Sequence, residues 1–133
     1  MVPVIVPIYA AILALIFVYL SARVIRMRGI AKVAIGHGGN ASLERRMRVH
    51  ANFAEYVPFA LILLTFLEMQ AQSRYLIHIL ALALIAGRSI HAYGVSQEKE
   101  NIRFRVTGML TTFAVLIAAG LVLLVNGLRA TVG

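Results

Sequence analysis

The sequence contains no cysteine and no tryptophan, only three prolines, and five acidic residues against thirteen basic ones. Without cysteine the chain can form no disulfide, no thiolate of its own and no cysteine metal site. Without tryptophan, tyrosine has to supply any aromatic belt at a membrane boundary. The shortage of acids leaves a formal charge of +8, which raises nucleic acid as a partner. The bases cluster between apolar runs and no nucleic-acid motif is present, so that partner is excluded. No grouping of histidine, aspartate and glutamate has metal-ligand spacing, and there is no serine hydrolase elbow. The glycines of Gly36-His37-Gly38-Gly39 mark a turn, since neither the P-loop nor the dinucleotide spacing occurs.

What the chain has in excess is apolar surface. Hydrophobic residues make up 61% of its 133 positions, and the mean hydropathy is +0.87. A soluble domain is nearer half apolar, so the composition indicates a membrane protein. Four runs, at about residues 2–22, 43–69, 74–93 and 102–128, are long enough to cross a bilayer core of about 30 Å as helices. They predict an all-α fold, a single four-helix transmembrane domain over residues 1–133. The first run has no basic residue before it and no small-residue cleavage site ahead of Arg23, and reads as a retained helix. Of the thirteen bases, eleven flank the first and third connections; only Arg74 and Arg129 lie at the other side. The positive-inside rule therefore places those two connections in the cytoplasm and both termini outside, in the periplasm if the membrane is a bacterial inner membrane.

The most informative stretch is ERRMRVHANFAEYVP, residues 44–58. It carries charged and amide groups into the mouth of the second apolar run, where polar groups are costly and point to function. At about 100° per residue, Arg45, Arg48, Asn52 and Glu55 fall on one helical stripe. His50 points to roughly the opposite side, and Tyr56 lies about 80° from the Arg48 direction, at the stripe's edge. Such a stripe suits a small zwitterion: guanidinium for a carboxylate, carboxylate for an amine, amide for a peptide unit. The same four groups would also serve as an ion-paired network that fixes helix packing. Arg88 and His91 share a face of the third helix, and Arg103 and Arg105 open the fourth. The predicted topology brings all three clusters to one membrane face.

The residues Glu44-Arg45, Arg48, His50, Asn52, Glu55-Tyr56 and Pro58 resemble the signature of the MAPEG family, the membrane-associated proteins in eicosanoid and glutathione metabolism. Gly87-Arg88 with His91-Ala92-Tyr93-Gly94 is similar to the family's third-helix segment, especially in bacterial members. The resemblance implies a homotrimer of four-helix subunits with glutathione, as co-substrate, held between neighbours near the cytoplasmic face. It carries Arg48, Asn52, Glu55 and Tyr56 over as glutathione contacts, with His50 and His91 at positions that contact it in some members. Arg105, or Arg103, would assist the thiol, and Arg28, or Arg23 or Arg26, would reach a carboxylate of glutathione. Ala51 and Val95 stand where specialised eicosanoid synthases have arginine and tyrosine. The resemblance thus implies a general glutathione transferase or peroxidase acting on lipophilic electrophiles, or a non-catalytic member of the fold. A small proton-coupled exporter has a similar size but needs an acid in its first helix, and residues 2–22 contain none.

Overall fold

The computed structural model describes residues 2–99 and 101–132. Four helices follow one another: α1 (Val6–Ala31), α2 (Ala41–Met69), α3 (Arg74–Ser96) and α4 (Ile102–Val132). Each is long and apolar enough to cross a membrane, and the large exposed side chains along them are mostly aliphatic or aromatic. In water such a surface would be untenable; in lipid it is the expected one. The core runs along the bundle axis from Val6, Leu13 and Leu20 of α1 through Phe53 and Leu64 of α2 to Leu84 of α3 and Val115 of α4.

The helices are longer than the apolar runs that predict them. α1 continues nine residues past Ala22 because Arg23–Arg28 contain no helix breaker; it stops only at Lys32, which takes a left-handed conformation at φ 52°. At its start, Ile5 already takes a right-handed helical conformation and Pro7 stands in the first turn. α2 begins at Ala41 because Asn40 caps it: the Asn40 Oδ1 accepts from the Leu43 amide at 2.9 Å, the usual N-cap arrangement. α2 then runs unbroken through Pro58. Residues 70–73 make the short turn that sets α2 and α3 antiparallel.

α3 is central. It packs on α2, on α4 and more lightly on α1, while α1 does not reach α4 among the described residues. The α3–α4 approach is very close. A Cβ on Gly108 would lie 2.6 Å from the Gly87 carbonyl and from the His91 backbone; one on Gly94 would lie 2.9 Å from the Arg105 amide nitrogen. Only glycine permits that spacing, and small residues are the usual means of joining helices in lipid. The contact has a direct result for the site below: it sets the first turns of α4, and Arg105 with them, against His91 and Val95.

Candidate functional site

The ends of α2, α3 and α4 that adjoin the first and third connections enclose a cavity of about 300 Å³. α2 contributes Glu44, Arg45, Arg48 and Asn52. Their spacing of three or four residues keeps them on one face of the helix. α3 contributes His91 and Val95, and α4 contributes Arg105. The described lining thus holds three guanidinium groups, one carboxylate, one amide and one imidazole. A donor-rich wall of this kind suits a small anionic or zwitterionic molecule with carbonyl and carboxylate oxygens.

Four of the eight residues predicted from sequence meet here: Arg48, Asn52, His91 and Arg105. Arg45 Nη1 also donates to the Val95 carbonyl at 3.4 Å, across the cavity rim. The other four lie elsewhere on the chain. His50 faces α1, where its Nε2 is 3.1 Å from the Ser21 hydroxyl and its ring stacks on Phe17 at 4.7 Å. That follows from its position opposite the stripe. Arg28 is occupied in closing the first connection: its Nη1 donates to the carbonyls of Ala34 and Gly36 at 3.2 and 2.8 Å, and its Nη2 meets the Met47 sulfur. Tyr56 lies one turn beyond Asn52, with Phe113 5.7 Å away. Glu55 is exposed on the flank of α2, about 21 Å along the helix from Ala41 at 1.5 Å per residue.

Two residues outside the eight assigned to the site have defining positions. The first is Arg88, only 1% exposed. Its Nη1 donates to Asn52 Oδ1 at 2.6 Å. Its Nη2 reaches the Gly108 carbonyl at 3.2 Å and the Met109 sulfur at 3.3 Å. The Tyr56 ring lies 5.6 Å from the guanidinium carbon. All these partners are uncharged, and Nε is buried with no hydrogen-bond partner. The available signal was the glycine at position 87 and another at 94, which let a second helix close over the arginine.

The second is Glu68, at the opposite end of the bundle and 5% exposed. Its carboxylate accepts the backbone amides of Val4, Ile5 and Val6 at 2.7, 2.6 and 2.8 Å. Three of the amides left open at the start of α1 are thereby satisfied by one side chain. A lone acid at the end of a long apolar run was the signal. Nearby, the Tyr9 hydroxyl lies 2.7 Å from His78 Nδ1.

A bundle of four apolar helices with a basic cavity at one end defines an integral membrane protein with a polar cavity near one interface. The chain belongs to the MAPEG family, whose model matches residues 6–125. It is similar to the inner membrane protein YecN of Escherichia coli strain K12, with 37% identity over 109 residues, 82% of each chain. The YecN protein of E. coli O6:H1 strain CFT073 matches to the same extent. No solved structure matches.

Proposed function

We propose that this protein binds glutathione in the cavity between α2, α3 and α4 and activates its thiol for attack on lipophilic electrophiles, as a transferase or peroxidase. The observation that carries the reading is the lining itself: three guanidinium groups, one carboxylate and one amide around about 300 Å³. Glutathione is a flexible tripeptide with two carboxylates, one ammonium, two peptide units and a thiol. Arg45 and Arg48 suit its carboxylates, Asn52 its peptide backbone, and Glu44 its ammonium. Arg105, on the opposite wall beside His91, suits the sulfur. A guanidinium there favours thiolate over thiol; the proton leaves to solvent, and the thiolate forms the new carbon–sulfur bond as the electrophile's leaving group departs.

Glu55 supports assembly into a trimer, the arrangement that family resemblance suggests. It is exposed on the flank of a membrane-spanning helix, where a carboxylate facing lipid is costly. A neighbouring subunit that covers it would offer it a cationic partner, either protein or the glutathione ammonium. The cavity would face the cytoplasm, with both termini on the periplasmic side of a bacterial inner membrane, in line with the distribution of bases. Arg28, His50 and Tyr56 would then act through neighbouring subunits or through packing.

Calorimetry with glutathione on detergent-solubilised protein tests the reading, followed by a conjugation assay with an aryl halide. Saturable binding is expected, and Glu44→Gln should weaken it at least about tenfold, less than the roughly 2–5 kcal/mol of a fully desolvated charge-assisted pair because water partly compensates. No heat of binding at millimolar glutathione would rule the proposal out. A lowered melting temperature with unchanged affinity in Glu44→Gln would leave Glu44 as a packing residue.

A further inference from the structure

Arg88 has a consequence for the chemistry of the cavity, one that rests on the glutathione reading for its ligand but not for its geometry. A guanidinium has five N–H donors and no acceptor. The Asn52 atom 2.6 Å from Arg88 Nη1 must therefore be the carbonyl oxygen, which removes the usual ambiguity between the two ends of an asparagine amide. With Oδ1 turned to a side chain that is itself 1% exposed, the Nδ2 amide group is the end left to face the cavity that Asn52 lines. Arg88 cannot readily turn away. Nη2 is held by the Gly108 carbonyl, the Tyr56 ring lies 5.6 Å from the guanidinium carbon, and α4 closes over it through the Gly87–Gly108 approach.

We infer that Arg88 is a positioning residue that locks Asn52 with its amide N–H groups toward the ligand, so that this wall of the cavity favours ligand groups with a lone pair to offer. A free asparagine would present either end and would accommodate a ligand N–H as easily as a carbonyl. The locked one admits a peptide carbonyl or carboxylate oxygen and leaves a ligand N–H facing another N–H. Charge plays a second part. The buried cation lies behind the amide, and it polarises the Asn52 carbonyl so that Nδ2 becomes a stronger donor. Lysine would not substitute, because its point charge cannot hold Asn52 and Gly108 together as a planar fork does.

The test uses Arg88→Met and Asn52→Asp in the full-length protein, with melting temperature and calorimetry on the same samples. The probes are glutathione and S-methylglutathione. Methionine fills much of the arginine's volume, and it removes a buried cation with no charged partner, whose desolvation cost offsets the hydrogen bonds lost with it. Arg88→Met should keep its melting temperature and lose about three- to tenfold in affinity, the equivalent of one hydrogen bond. The loss should be equal for both probes, because the contact is with the peptide and not the sulfur. Asn52→Asp should pair with Arg88, melt no lower than wild type, and lose at least tenfold, because an acceptor now faces an anionic ligand. Unchanged affinity in Arg88→Met, or a loss confined to glutathione, would overturn the inference.

A second readout needs no ligand. The chain has four asparagines, so in protein labelled with 15N-asparagine the Asn52 side-chain amide can be assigned by its loss in Asn52→Asp. That signal should be shifted in wild type and return toward the free-amide position in Arg88→Met, or in Arg88→Lys if the methionine variant does not fold. An unmoved signal would overturn the inference. If wild type binds neither probe, the glutathione reading fails, and this signal alone decides whether Arg88 orients Asn52.

Discussion

The two ends of the bundle use polar groups in opposite ways. At the end formed by the termini and the turn between α2 and α3, Glu68 closes on three amides and Tyr9 pairs with His78. At the other end Glu44, Arg45, Arg48, Asn52, His91 and Arg105 are arranged around an open volume. A polar group inside a membrane has to be satisfied. One end satisfies its groups within the chain and gains rigidity. The other lines an open volume with its groups, some of them also paired within the chain, and offers that volume to a ligand. The membrane imposes the same cost at both ends, so the difference between them separates groups that hold the fold from groups that serve a site.

If the distinction is sound, substitutions at the two ends should produce opposite patterns of stability and affinity. The largest effect is expected from Glu68→Ala. It strands three amides, each unpaired buried donor costing about 1–3 kcal/mol, and local rearrangement of residues before Val6 should bring the total to about 3 kcal/mol. The melting temperature should fall markedly, while the protein that remains folded should bind glutathione as before. Affinity lost in proportion to stability would erase the distinction between the ends.

Arg48→Ala should give the mirror image. Its side chain is exposed to the cavity, so stability should change by less than about 0.5 kcal/mol, as for most surface substitutions. Glutathione affinity should fall at least tenfold, because a charge-assisted contact is removed. Unaltered binding would move the ligand away from the α2 stripe. The smallest effect belongs to Tyr9→Phe. Losing the single hydrogen bond to His78 should cost about 1 kcal/mol of stability, read as a lower melting temperature, with no change in binding. A change in affinity from that distance would show that the two ends are coupled.

Much of this was legible in the sequence. Four apolar runs gave four helices, because a spanning helix needs about 20 apolar residues and little else produces such a run. The spacing of Arg45, Arg48 and Asn52 placed them on one face, and they line one cavity. His50, which the same spacing turned away, indeed faces α1. The helix ends were harder to read. Arg23–Arg28 are polar enough to leave the membrane yet have no reason to leave the helix, and hydropathy does not distinguish the two. Glu68 was the larger omission, and Arg88, read only as a member of a polar cluster with His91, lacked its role. Each owes its role to partners far along the chain, Asn52 and Gly108 for one and the start of α1 for the other, and a pattern read along a single helix does not contain them. Glu55 shows a further gap: its stripe position is clear, but the single chain provides no wall opposite it.

The Glu68 contacts also order events in time. The acceptor is made 62 to 64 residues after the amides it satisfies. As the chain leaves the ribosome, the start of α1 is made before its acceptor, and its three amides have no Glu68 to bond until α2 has been synthesised almost to its end. Every group in that closure lies within the first 68 residues. The α1–α2 hairpin can therefore latch before any of α3 exists. The later pair meets through Gly87, Gly94 and Gly108, a contact that draws on none of those bonds. Synthesis thus delivers first the half of the molecule that fastens itself, and the cavity, which needs α3 and α4, is completed last.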